Sequence, residues 1–134
     1  MQQEFGFGSF RYNFVKDWAK LPSDFNFVEC PGVAVDSNDN VYVLTRGLHP
    51  VIVFDLAGNF LRSFGEGMFS NRTHGLYIGH DDSLLIADDG LHTIQKLDQH
   101  GQKIMEIGLR NQPSTKWSGL PFNRPTSAAI RPNN

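Results

Sequence analysis

Apolar residues in the first half of the chain fall into short runs, GVAVD, VYVLT, PVIVFD and FLRSFG, between residues 32 and 65. Each run alternates or is wholly apolar, is rich in β-branched and aromatic residues, and is bounded by Gly, Asn or Asp. Runs of that length and content predict strands. The polar turns SNDN and LAGN and the corner at Arg46–Gly47 separate them. No apolar period of 3.6 extends over a useful length, which excludes a helical solenoid. DLAGNFLRS could pass for a helix, but its Gly-Asn turn predicts a hairpin.

The pattern then repeats. Residues 32–65 lie over residues 75–108 without a gap, a shift of 43 positions. Identical pairs include Gly32/Gly75, Gly47/Gly90, His49/His92, Asp55/Asp98, Gly58/Gly101 and Gly65/Gly108. Apolar residues pair as well, among them Val33/Leu76, Val43/Ile86, Phe54/Leu97 and Leu61/Ile104. Four strands in roughly 40 to 45 residues is the spacing of a β-propeller blade. The predicted class is therefore all-β, a propeller of four-stranded blades.

The expected organisation follows. Residues 1–29 form an N-terminal segment whose alternation around Phe10, Tyr12, Phe14 and Trp18 suits a ring-closing strand or a loose lid. Residues 30–65 and 72–108 are blades. Residues 109–124, rich in Pro, Ser and Asn, are an inserted loop of the kind that shapes a binding mouth. RPTSAAIRPNN (residues 124–134) resembles a blade start, and residues 125–134 read as the start of a third blade. A propeller closes with about four to eight blades. Two blades and a stub do not close, so the expectation is the N-terminal part of a longer protein.

Bulk composition narrows the function. The 134 residues carry a net charge of −2 with no run of like charges, which excludes electrostatic docking to nucleic acid or to an anionic membrane. No apolar run of about 18 residues predicts a membrane span, and the N-terminus lacks the basic and apolar regions of a signal peptide. Cys30 is the single cysteine and has no internal partner, which fits a reducing, cytoplasmic setting.

The repeat acts as an internal control. Residues shared by both copies, such as His49/His92 and Asp55/Asp98, are expected to serve the fold. Polar residues that break the repeat point to a site. His74 stands opposite Pro31, Arg46 opposite Asp89, and Thr45 opposite Asp88. His74 immediately precedes a predicted inner strand, which places it at the mouth of a central channel. Arg46 ends the second strand near the same face. An imidazole is a zinc ligand, but a catalytic zinc takes about three protein ligands, and a lone histidine capping a strand is the ordinary alternative.

These residues carry a resemblance. The blades resemble the NHL repeat. GVAVDSNDNVYVLTRGLHPVIVFD, THGLYIGHDDSLLIADDGLHTIQKLD and FNRPTSAAIRPN are together similar to the first half of the peptidyl-α-hydroxyglycine α-amidating lyases (peptidylamidoglycolate lyases) and their bacterial relatives. The resemblance covers roughly residues 30 to 134 and rests most on TRG and HGL. It implies a six-bladed propeller that splits a peptide ending in α-hydroxyglycine into a peptide amide and glyoxylate, with zinc and calcium as cofactors. By position, it implies that His74 is a zinc ligand and that Arg46 is a catalytic residue that engages the substrate. It also implies that the backbone carbonyls of Val33 and Leu76 bind calcium. The tyrosine base and the other histidines of that family would fall beyond Asn134, so the chain alone is expected to be inactive.

Two other functions fit the same residues. One is a non-catalytic NHL propeller that binds a peptide or protein partner on one face. The other is a lactone hydrolase with axial calcium and carboxylates, which DSNDN, HDDS and ADDG would supply. The first two of those segments sit in predicted turns, where solvated Asp is ordinary.

Overall fold

The computed structural model describes residues 4–131. A hairpin of β1 (Glu4–Phe7) and β2 (Phe10–Asn13) comes first. One four-stranded antiparallel sheet follows in the order β3 (Gly32–Val35), β4 (Val41–Leu44), β5 (Val51–Phe54) and β6 (Phe60–Phe64). A second contains β7 (Thr73–Ile78), β8 (Leu84–Asp88), β9 (Thr93–Leu97) and β10 (Lys103–Ile107), again paired in sequence order. The described residues contain no helix. The chain is all-β, and the two sheets are neighbouring blades of a propeller-type fold.

Strand parity explains the core. In a strand, successive side chains point to opposite faces. Tyr42, Leu44, Val51 and Val53 of the first sheet and Leu84, Ile86 and Leu97 of the second form one buried cluster between the blades. Leu85, Ala87 and Ile94 point the other way and form a second cluster with Phe122, Ala128 and Ile130. β5 and β8 are buried along their whole length, since each is covered on both faces. That is why VIVF and LLIA read as unbroken apolar runs.

The outer face of the first blade is covered by the N-terminal segment. Trp18 and Phe27 pack on Phe54, with ring centroids 5.6 and 6.2 Å away, and Phe25 packs on Phe60 at 5.1 Å. The Lys20 N–H donates to the Gly58 carbonyl at 2.9 Å. Gly58 has φ +79°, and a Cβ there would strike the Trp18 carbonyl, so this latch requires glycine. Within this segment residues 10–13 form β2 of the hairpin and residues 14–19 carry no strand.

The inner strands β3 and β7 approach closely. A Cβ on Gly32 would lie 3.0 Å from the Leu76 Cβ. Gly75, its repeat partner, is covered in turn by the Thr126 carbonyl. Residues 126–127 thus lie on the second blade much as β7 lies on the first, although residues 125–131 form no strand. Residues 132–134 of the proposed third unit fall outside the described residues.

Candidate functional site at the strand mouth

The internal control extends to backbone shape. β6 bulges at Leu61 and β10 at Ile104, which are repeat partners, so those bulges belong to the blade. β7 bulges between Thr73 and Gly75, and the first blade makes the same one-residue shift at Pro31, where the Arg46 N–H donates to the Glu29 carbonyl as the Asp89 N–H does to the Arg72 carbonyl; what differs is the residue placed there. The extra residue is His74. A bulge leaves one residue without a cross-strand partner and re-aims its side chain. The His74 ring is exposed and makes no hydrogen bond among the described residues. The sequence placed it just before the strand; it is the bulged residue within the strand's first turn of pairing.

The repeated histidines behave differently. His49 stacks on Phe25 with centroids 3.7 Å apart and pairs through Nδ1 with Glu66 at 2.9 Å. His92 Nδ1 accepts the Arg124 N–H at 3.2 Å. Both rings anchor local structure, as their repetition implied. Asp55 and Asp98 accept turn N–H groups from Asn59 and from His100 and Gln102.

Arg46 is tied to the same mouth. Its Nε donates to the Thr73 carbonyl at 3.0 Å, on the residue just before His74. Its Nη1 pairs with Glu29 Oε2 at 2.6 Å. Its backbone N–H donates to the carbonyls of Val28 and Glu29. Arg46 and His74 therefore sit on adjoining inner ends of the two blades, and the backbone of Thr73 links them.

Glu29 was not singled out from the sequence, yet the repeat shift exposes it. Glu29 stands opposite Arg72 and Arg46 opposite Asp89, so the second blade carries the same ion pair with its signs exchanged. Arg72 grips Asp89 at two points, Nε to Oδ1 at 2.6 Å and Nη2 to Oδ2 at 2.8 Å. The Arg72 guanidinium holds the Asp89 carboxyl below its ordinary range, against the upward push of burial. Thr45 and Asp88 also break the repeat but share one task. Thr45 Oγ1 accepts the Gly47 N–H at 3.1 Å, and Asp88 Oδ1 accepts the Gly90 N–H at 3.0 Å.

A cleft of about 440 Å³ opens beside Arg46, between the 46–50 corner and the link between the blades; Val28, Leu48, Phe69, Asn26 and Asn71 line it. Residues 109–124 carry no strand and touch the same end of the second blade, where the Asn111 N–H donates to the Leu91 carbonyl at 3.0 Å. Trp117 at its tip is fully exposed.

Val33 and Leu76 occupy equivalent ladder positions. The Asp36 N–H meets the Asn40 carbonyl at 3.0 Å, and the Gly79 N–H meets the Ser83 carbonyl at 2.8 Å. Hydrogen-bonded pairs alternate with open pairs along an antiparallel ladder. Counting back, Val33 opposite Val43 and Leu76 opposite Ile86 are open pairs, so their carbonyls point away from β4 and β8 toward the inner edge. Among the described residues, no three His, Cys, Asp or Glu side chains converge as a metal site. His74 offers a single free imidazole. No helix among those residues is long and apolar enough to cross a membrane.

No protein-family model matches the chain. The sequence is 27% identical over 129 residues to peptidylglycine alpha-amidating monooxygenase of Rattus norvegicus, across 76% of this chain and 13% of that protein. The chain thus spans about an eighth of the length of this curated relative. The virginiamycin B lyase of Staphylococcus aureus superposes with a TM-score of 0.50 at 15% identity, over 60% of this chain and 27% of that one. A Bacteroides caccae protein of unknown function superposes at 0.47 with 13% identity, over 57% of this chain and 27% of that one. The first of these structural likenesses supports the propeller-type fold.

Proposed function

We propose that the chain forms part of the mouth of a propeller lyase that converts a peptidyl-α-hydroxyglycine to a peptide amide and glyoxylate. The observation that carries this reading is the His74 bulge. A free imidazole is held out at the inner end of a strand, where the sister blade carries Pro31, one residue from the carbonyl that anchors the Arg46 guanidinium. The sequence similarity to an amidating enzyme supports the substrate class.

The chemistry asks for few groups. The substrate hydroxyl loses its proton, the carbon–nitrogen bond breaks, and the amide nitrogen gains a proton. Arg46 suits the substrate carboxylate, since a guanidinium offers two parallel donors to two oxygens. Zinc, when bound, would lower the pKa of the coordinated hydroxyl. His74 would be one of its ligands; a catalytic zinc takes about three, so the remainder would come from residues outside this chain. The inward carbonyls of Val33 and Leu76 suit an axial calcium, which favours uncharged oxygen ligands of this kind.

The test is glyoxylate release from a benzoyl- or peptidyl-hydroxyglycine by a protein containing this chain and the adjoining blades. The wild type is expected to turn over, His74→Ala to lose turnover with its fold intact, and the isolated 134 residues to show none. Turnover that survives His74→Ala would refute the assignment. A second reading, a non-catalytic propeller that binds a peptide or protein, is favoured by the sign-exchanged ion pair, which gives Arg46 a structural task that Asp89 and Arg72 match in the next blade.

A further inference from the structure

The two ion pairs occupy equivalent places but are built differently. In the second blade the carboxylate is buried, with 8% of the Asp89 side chain exposed, and both its oxygens are held by Arg72. In the first blade the carboxylate is open, with 67% of the Glu29 side chain exposed, and one oxygen touches one nitrogen of Arg46. The guanidinium itself is the better buried partner, at 28% exposure. Its Nε is fixed on the Thr73 carbonyl, and its Nη2 has no partner among the described residues. The open pair also borders the cleft, whose lining includes Arg46 but not Glu29.

We propose that Glu29 is a built-in competitor. It occupies, in the free protein, the place on Arg46 that a ligand's terminal carboxylate takes when it enters the cleft. The inference rests on the functional reading above and adds a specificity determinant to it. Three features support exchange of one carboxylate for another. A solvent-exposed, one-point ion pair is worth only about 0.2–1 kcal/mol, so its loss is a small obstacle. A ligand carboxylate can engage Nη1 and Nη2 together, a two-point contact that Glu29 does not make. The walls next to Arg46 then set the class of ligand. Val28, Leu48 and Phe69 offer apolar surface to the residue before the carboxylate, and Asn26 and Asn71 offer amide groups to its backbone. The chemistry fits a short peptide or acylglycine with an apolar residue before its carboxyl end. In the second blade Asp89 closes the equivalent position, and no such exchange is available there.

Glu29→Gln separates this from a purely structural ion pair. The probes are N-acetyl-Phe-Gly as the free acid and as its amide, titrated against the 134-residue chain by calorimetry, with amide chemical shifts of Gly47 and Phe69 as the local readout. The wild type is expected to bind the acid at least about tenfold more tightly than the amide. Glu29→Gln is expected to tighten the acid by about two- to fivefold, which matches the free energy of an exposed pair, and to leave the amide unchanged. Arg46→Gln is expected to erase the preference for the acid, with thermal melting used to confirm that it folds. Equal binding of acid and amide, absence of binding, or unchanged or weaker binding of the acid to Glu29→Gln would each overturn the proposal. Glyoxylate release plays no part in this readout, so loss of the lyase reading and loss of this one are distinguishable.

Discussion

Asp88 offers a quantitative test of the corner that positions the mouth. It is fully buried. Its oxygens accept the Ser70 N–H at 2.7 Å, the Ser70 hydroxyl at 2.5 Å, the Gly90 N–H at 3.0 Å and the Leu91 N–H at 2.9 Å. Asp88→Ala strands three backbone donors. At about 1–3 kcal/mol for each buried donor left without an acceptor, the upper bound is about 9 kcal/mol. The corner lies at the sheet end, where water can reach part of it, so the expected loss is at the low end, about 3 kcal/mol. With an unfolding entropy of about 2.1 cal/mol/K per residue, that loss lowers the melting temperature of 134 residues by about 10 °C. Thr45 closes the same corner of the first blade with one hydroxyl, so Asp88→Thr is expected to recover roughly half of the loss. Urea unfolding followed by Trp fluorescence and far-ultraviolet circular dichroism measures both variants. A loss under about 1 kcal/mol for Asp88→Ala, or no recovery with Thr, would show that the corner is held by other groups.

Four further outcomes are expected. Gly58→Ala removes the Trp18 latch, because φ +79° and the Trp18 carbonyl both oppose a side chain; a red shift of Trp18 emission with lowered stability would report it. Tyr42 is pushed up to about 12, chiefly by burial and further by Asp36, with Arg62 opposing. Its folded state therefore keeps the proton that the unfolded state loses near pH 10, so stability is full below about pH 10 and falls as pH rises to about 12; Tyr42→Phe should flatten that limb of a pH–denaturation profile. Asp81, Asp36 and Asp89 titrate below their ordinary range. The Ser83 hydroxyl and Lys96 hold Asp81 down; burial pushes Asp36 up, but hydrogen bonds from Asn40, Asn38 and Tyr42 together outweigh it; and Arg72 holds Asp89. Their stabilisation is present above about pH 4 and is lost as pH falls through the lower folded values, so acid titration should show weakening only below about pH 4. His74→Ala, at an exposed ring without hydrogen bonds, should leave the melting temperature within about 1 °C of wild type, and a larger drop would give His74 a structural role.

The strands were legible because burial leaves its mark on composition. VIVF and LLIA are covered on both faces and read as solid apolar runs; GVAV reads as apolar too, although Val33 and Val35 are exposed and Gly32 and Ala34 are half-buried. The corner and turn residues were legible through repetition alone. The alternation at Phe10 and Tyr12 marked a strand, but not its hairpin partner Glu4–Phe7, since both strands are exposed throughout. The similarity of residues 125–131 to a blade start did not translate into a strand, because a strand needs a partner and no described residue pairs with them. His74 was recognisable as an odd residue, but its bulge depends on the register with β8, which no single strand encodes. Glu29 was visible only as the sign-reversed partner of Arg72, a relation that emerges once the pairings of both blades are compared.

The contact between Gly32 and Leu76 has a consequence for the axis of the molecule. The interval between the two inner strands leaves little room for a methyl group, since a Cβ at residue 32 would lie 3.0 Å from the Leu76 Cβ and 3.1 Å from the Leu76 nitrogen. A valine there would press β3 and β7 apart. That pressure would fall next to the mouth, where the Arg46 guanidinium meets the Thr73 carbonyl and the Thr73 hydroxyl meets the Thr45 carbonyl.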